Sequence, residues 1–256
     1  MIPAVDIGNT HIVLGCIEGE KILSIDRLET NLNKTASEYG VLLKGILDFY
    51  DFGRNDFEGA IVSSVVPPIT SSIVEAVKKV TGCDALIVGS GIKTGLNILI
   101  DTPAQTGADL VVGGVAAMSL YQTPVLIIDM GTATTITAVV GKSNFIGGAI
   151  IPGVAVSLNA LAGNTSQLPK ISIEAPKKCI STNTIDCMKS GAVFGSAAMI
   201  DGMLDRMEAE LGEKATVVAT GGLASQILPY CRHEINYEPD LLLRGLAILY
   251  NKNKKK

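Results

Sequence analysis

Apolar positions along this chain fall into a pattern that occurs twice. Ile2-Pro-Ala-Val5 and Val125-Leu-Ile-Ile128 are short apolar runs with the density of buried strands. Each delivers an Asp-x-Gly triplet: Asp6-Ile7-Gly8 followed by Asn9-Thr10, and Asp129-Met130-Gly131 followed by Thr132-Ala-Thr-Thr135. A second apolar stretch comes next in both places, Ile12 to Ile17 and Ile136 to Val140. Both turns are therefore predicted to fold the chain back as β-hairpins. Lys21 to Leu28 is predicted as a third strand that completes an antiparallel meander.

The periodicity then changes from two to about 3.6. Thr35 with Glu38 forms a capping box ahead of Tyr39, Leu42, Leu43, Ile46, Leu47 and Tyr50, so a helix is expected. Gly59 to Ser63 reads as a buried strand and Val65-Val-Pro-Pro68 as a stop. Ile69, Ile73, Ala76, Val77 and Val80 mark another helix, and Ala85 to Val88 another strand. A glycine-bearing linker, Gly89 to Thr106, precedes a helix from Gly107 to Tyr121. After the second hairpin come a strand at Asn144 to Ile151, a helix from Gly153, and a break at Gly163 to Pro169. A long helix follows Ser181-Thr-Asn-Thr184, for which a capping hydroxyl is expected. Thr216 to Gly222 reads as a strand ending in a diglycine turn, and Leu241 to Tyr250 as the last helix. Strands alternating with helices predict an α/β fold in two similar halves, residues 1–106 and 107–256, each a mixed sheet with an antiparallel edge.

Composition narrows the partners. Of 256 residues 47% are hydrophobic and 18% charged, enough for a large core. The net charge of −4 hides a basic tail, Lys252, Lys254, Lys255 and Lys256, read as a solvated end. Without those four, 17 basic residues face 25 acidic ones, a body near −8. Such a body argues against nucleic acid as a partner, as does the absence of Trp. The five cysteines never form a Cys-x-x-Cys pair and read as reduced, semi-buried thiols, with a cytoplasmic location expected. The uncharged spans Leu110 to Ile128 and Ser143 to Pro169 are broken by Pro and Gly and read as core, not membrane helices. His11 and His233 have no Ser/Asp or Cys/Asp arrangement nearby in sequence and read as structural.

The Asp-x-Gly turns carry the chemistry. A strand end holds a carboxylate, Gly admits close backbone approach, and Thr adds donors, a combination suited to a nucleotide phosphate and its cation. Two ordinary hairpins are the plain alternative. The repetition favours two half-domains, each offering one such turn to an ATP cleft between them. This resembles the sugar kinase and actin-like ATPase superfamily. Within it, Asp6-Ile-Gly-Asn-Thr10, Gly107-Ala-Asp109, Asp129-Met-Gly-Thr-Ala-Thr-Thr135 and Gly147-Gly-Ala-Ile-Ile-Pro-Gly153 together resemble type III pantothenate kinases.

That resemblance implies ATP-dependent phosphorylation of pantothenate to 4'-phosphopantothenate, the first step of coenzyme A biosynthesis. It implies ATP at Asp6, Ile7, Gly8, Asn9, Thr10, His11, Ile12, Val13 and Thr132, and Asp109 as general base. It implies substrate contacts from Ile100, Gly107, Ala108, Asp109, Leu110 and Thr184, and an edge of the substrate site at Gly163 to Pro169. Asp129 would hold a monovalent cation, potassium or ammonium, and Mg2+ would accompany ATP near Asp6. A homodimer with pantothenate at the subunit interface is implied as well. The family motif continues from Gly-x-Asp to Arg, where this chain has Leu110, and carries a Tyr where it has Ile100. A non-catalytic or altered-substrate homologue is therefore the alternative, and an actin-like assembly ATPase is a third reading that the short chain disfavours.

Overall fold

The computed structural model describes residues 1–254, so Lys255 and Lys256 of the basic tail lie outside the described residues. The chain forms two compact units. The first comprises Met1–Leu96, Asp101–Ser119 and the described residues from Asp240 on; the second, Asn97–Ile100 and Leu120–Pro239. These units differ from the chain halves 1–106 and 107–256, because packing rather than chain order defines them.

In the first unit β1 (Ile2–Ile7), β2 (His11–Glu18) and β3 (Lys21–Glu29) form the antiparallel meander. Helix α1 (Ala36–Phe49) starts at the expected capping box: Thr35 Oγ1 accepts from Glu38 N, and the Glu38 carboxylate accepts from Thr35 N. Strand β4 (Ala60–Ser64), helix α2 (Pro67–Thr81) and β5 (Ala85–Ile87) follow, with β4 and β5 parallel to β1. The sheet order is β3-β2-β1-β4-β5. Pro67 and Pro68 do not stop the chain but begin α2, since their missing N–H groups lie where a helix has no partner for them.

Strand alternation assigns the two faces of this sheet. Val5 and Ile7 pack with Leu43, Leu47, Ile69 and Ile73 of α1 and α2. Ile2 and Ala4 pack instead with Val112 and Val115 of α3 (Ala108–Leu120) and with Leu243 and Leu246 of the C-terminal helix. Asp6 continues the Ile2–Ala4 parity, so its carboxylate projects on the face covered by α3. Ser63, directly opposite Asp6 on β4, shares that face and is fully buried.

The second unit repeats the plan. Strand β6 (Asn97–Ile98) lies within the expected linker but joins this sheet, parallel to β9. Strands β7 (Val125–Met130), β8 (Ala133–Val140) and β9 (Asn144–Pro152) form the second antiparallel meander. Helices α4 (Val154–Gly163) and α5 (Thr184–Leu211) follow, then β10 (Thr216–Thr220), α6 (Ala224–Ile227) and β11 (Asn236–Tyr237), before α7 (Leu241–Asn253) returns to the first unit. Strands β10 and β11 run parallel to β7, and the order is β11-β10-β7-β8-β9-β6. Leu126, Ile128 and Met130 pack against Val193, Ala197 and Ile200 of α5, so Asp129 points to the opposite face. Both sheets thus place the Asp of the Asp-x-Gly turn on equivalent strands with equivalent parity.

Three smaller expectations change. The cap of α5 is an amide, Asn183, whose side chain accepts from Asp186 N at 3.0 Å. Cys179 and Cys187 are exposed rather than semi-buried. Lys252 belongs to the last turn of α7, where its ammonium donates to Thr94 O at 2.9 Å. Among the described residues no helix is long and apolar enough to cross a membrane.

Candidate active site

The first turn is tied down by backbone and by one side chain. Gly8 N donates to His11 O at 3.0 Å, Thr30 N donates to Thr10 O at 3.0 Å, and Thr30 Oγ1 donates to Gly8 O at 2.7 Å. This bracing costs the turn its freedom but leaves its polar groups outward: Asn9, Thr10 and His11 are exposed and Asp6 is half-buried. Ile7 and Ile12 are fully buried in the core, so a nucleotide could use only their backbone. Asp6, Asn9 and Thr10 form an all-oxygen set suited to Mg2+ carried by a nucleotide phosphate.

The second turn is one residue shorter. Gly131 N donates to Ala133 O at 3.0 Å, and Asp129 stands opposite Thr135 across the β7–β8 ladder. Gly153 N, at the start of α4, donates to Thr132 O at 3.1 Å, which seats the N-terminus of that helix against the turn. Asp129, Thr132 and Thr135 again provide only oxygen donors, the chemistry a hard monovalent ion requires. Two hydroxyls stand near these turns: Ser63, read from sequence only as part of a strand, and Thr134 of the threonine cluster. Ser63 Oγ, on the Asp6 face, and Thr134 Oγ1, beside the second turn, are buried without a hydrogen-bond partner among the described residues.

The diglycine turn after β10 rests on the second Asp-x-Gly strand. Gly221 has φ +100°, and a Cβ there would lie 2.5 to 2.6 Å from the backbone of Met130. Only glycine combines that torsion with that approach. Gly221→Ala is expected to destabilise the fold by about 2 to 4 kcal/mol, from left-handed strain plus overpacking, a Tm lower by roughly 5 to 15 °C. Calorimetry checks this, and an unchanged Tm would show that the turn does not need the contact.

Asp109 stands in the first turn of α3 and is half-buried. Its Oδ1 accepts from Leu110 N at 2.8 Å. That folded-back position needs a glycine at 107, where a Cβ would come within 2.4 Å of the same oxygen. Burial pushes the carboxyl above the usual carboxylate range, partly offset by the amide hydrogen bonds. A carboxylate held in place with a raised proton affinity is what a general base requires. Since α3 covers the Asp6 face, the first unit carries both carboxylates on one side of its sheet.

Val13, Ala108 and Leu110 also belong to the first unit, whereas Ile100 and Thr184 lie in the second. Ile100 follows β6 and packs over Gly147 of β9, 3.6 Å from where a Cβ would stand. Thr184 opens α5 and lines a cavity of about 850 Å3 together with Ser157, Leu168, Asn183 and Met188. Leu168 brings the Gly163–Pro169 segment to that cavity. Asn183 and Ser157 were not singled out from sequence, because nothing in their spacing distinguishes them from a helix cap and a surface serine.

Comparison with known proteins decides the family. The family model described as type III pantothenate kinase matches residues 3–206. The chain belongs to the type III pantothenate kinase family. A type III pantothenate kinase of Moorella thermoacetica is 39% identical over 253 residues, covering 99% of this chain and 100% of the relative. One from Dehalococcoides mccartyi is 43% identical over 251 residues, covering 98% and 95%. Among solved structures, a Sinorhizobium meliloti protein provisionally named a 2-dehydro-3-deoxygalactonokinase superposes with TM-score 0.57 at 11% identity, covering 100% of this chain and 98% of its own. That likeness concerns the fold, the α/β architecture of sugar kinases and actin-like ATPases. The family and fold expected from the four motifs are thereby met.

Proposed function

We propose that this chain transfers the γ-phosphoryl group of ATP to the primary hydroxyl of pantothenate, yielding 4'-phosphopantothenate and ADP for coenzyme A synthesis. The observation that carries the reading is Asp109: half-buried, fixed by the Leu110 amide, raised in proton affinity, and set in the Gly-x-Asp motif of a kinase family. The carboxylate accepts the hydroxyl proton as the oxygen attacks phosphorus and ADP departs. Positioning and charge neutralisation supply most of the rest. The Asp6–Val13 turn and Thr132 bind ATP; Mg2+ arrives with the nucleotide and would be held near Asp6, where it neutralises phosphate charge. Asp129 holds a potassium or ammonium ion. Gly107 to Leu110, Ile100 and Thr184 contact pantothenate, whose pantoyl and β-alanyl parts suit a cavity with both apolar and amide or hydroxyl lining.

A homodimer is part of the proposal. Strand β9 leaves Ile146 and Ile150 exposed, and α4 exposes Val156 and Leu161, apolar surface of the kind a subunit interface covers. The enzyme is expected to work in the cytoplasm. ADP release from ATP, measured with and without pantothenate, tests the activity: release should depend on pantothenate. ATP hydrolysis indifferent to pantothenate would favour a relative that keeps the nucleotide turns alone.

Leu110 makes a separate prediction. A charge-assisted hydrogen bond contributes about 1.5 to 3 kcal/mol, so an arginine there would strengthen pantothenate binding by roughly ten- to a hundredfold. Leu110→Arg is expected to lower the KM for pantothenate while leaving that for ATP nearly unchanged. Equal pantothenate KM values in the two proteins would show that another group already compensates.

A further inference from the structure

A second constellation, outside every residue assigned above, lies on the far half of α5. Asp201, Asp205 and Glu208 are spaced i, i+4 and i+7 and so fall on one face of the helix. The segment after the short 3-10 turn Leu228–Tyr230 brings His233 against that face. Asp201 is saturated: it accepts from Arg232 N at 2.9 and 3.0 Å, from His233 N at 3.1 Å, and from His233 Nδ1 at 3.0 Å. An ionised carboxylate can only accept, so Nδ1 carries the proton and the tautomer is set. In the neutral ring, Nε2 then presents its lone pair to Asp205 Oδ1 at 3.3 Å and Glu208 Oε2 at 3.9 Å.

Three acceptors thus converge within 4.8 Å of one another, and one of them, Glu208 Oε2, also accepts from the exposed Lys214 ammonium at 2.5 Å. Lys214 neutralises one carboxylate; with the ring neutral, the Nε2 lone pair and the Asp205 carboxylate still face each other, a repulsion that a cation at the centre would relieve. The Asp201–His233 pair also has the form of the carboxylate–histidine support that orients metal-binding imidazoles. The imidazole and Glu208 are mostly buried, at 16% and 7% side-chain exposure, while Asp205 at 67% opens the group to solvent. The residues line a cavity of about 480 Å3, room for an ion and its waters.

We propose that His233, Asp205 and Glu208 form a binding site for a divalent ion of the zinc class, with Asp201 as the residue that orients the imidazole. One nitrogen and two carboxylate oxygens, with positions left for water, suit Zn2+ or Co2+ better than Mg2+. Glu208 Oε1 stays with Ala215 N at 3.1 Å, while Oε2, now bonded to Lys214 Nζ at 2.5 Å, turns to the ion. Lys214 is 82% exposed and can swing into solvent. A bound ion would clamp the Arg232–His233 segment, which leads into β11, to α5.

The experiment uses the full chain, freed of metal by chelator and titrated with zinc chloride alone, without nucleotide, by calorimetry. Wild type should take up one Zn2+. Asp205→Asn, whose exposed side chain has little part in folding, should bind that ion about 10- to 100-fold more weakly. The double variant Cys179→Ser/Cys187→Ser should bind as wild type does, since both exposed thiols lie outside the site. Cobalt chloride should give visible ligand-field absorption in wild type that Asp205→Asn diminishes. The proposal is overturned if wild type takes up no ion at about a hundred micromolar metal, if Asp205→Asn binds equally well, or if uptake is lost only with the cysteines. The first of these outcomes would leave the cluster as a structural one, held by the Asp201–His233 hydrogen bond and the Glu208–Lys214 pair.

Discussion

Asp109→Asn is expected to lower kcat by about 10²- to 10⁴-fold while leaving ATP binding intact. Asparagine keeps the size and the hydrogen bond from Leu110 N but cannot accept the substrate proton. Its effect on stability has a definite sign. Burial raises the Asp109 carboxyl, so the folded chain holds that proton to higher pH than the unfolded chain does. Stability from this group is therefore lost as pH rises from the ordinary carboxylate value through the raised one, and at neutral pH the ionised group is a cost. Replacing it by a neutral amide should leave Tm unchanged or slightly higher. The wild-type rate should fall on the acid side with a limb above the ordinary aspartate value, and a variant of near-normal kcat would remove Asp109 from the mechanism.

The second large effect concerns Asp129. It occupies in the second unit the strand end and parity that Asp6 occupies in the first, beside a turn of threonines. If it holds a monovalent cation next to the phosphates, the rate should rise steeply with potassium and be low in sodium or choline. Asp129→Ala should abolish that dependence and cost on the order of a hundredfold in rate, the usual scale for losing one fixed charge-stabilising group. A wild-type rate indifferent to the choice of ion would count against the site.

Much of this was legible because the signals were local. A buried strand that ends in Asp-x-Gly, followed by a second apolar run, fixes a hairpin through its own periodicity, and both hairpins formed with the Asp on the ladder. The capping box at Thr35 and Glu38 is local in the same sense. What escaped depends on residues far apart in the chain. Pro67 and Pro68 were read as punctuation, yet the same missing N–H suits either the end of one element or the first turn of the next. Strand β6 is two residues long and takes its identity from pairing with β9, about 47 positions later. The return of α3 and α7 to the first unit follows from Val112, Val115, Leu243 and Leu246 meeting Ile2 and Ala4, a match no window of sequence displays. The candidate site divides the same way: its motifs name Asp6, Asp109 and Asp129, whereas Ser63 required the sheet register, just as the separate His233 cluster required the packing on α5.

One product analysis tests the central assignment most directly. The purified protein is incubated with ATP labelled at the γ-phosphate, Mg2+, potassium and pantothenate, and the products are separated and identified by mass spectrometry. The account predicts one label transferred to the primary hydroxyl of pantothenate for each ADP formed, and no transfer with Asp109→Asn. Label released only as inorganic phosphate, at a rate the same with and without pantothenate, would contradict it.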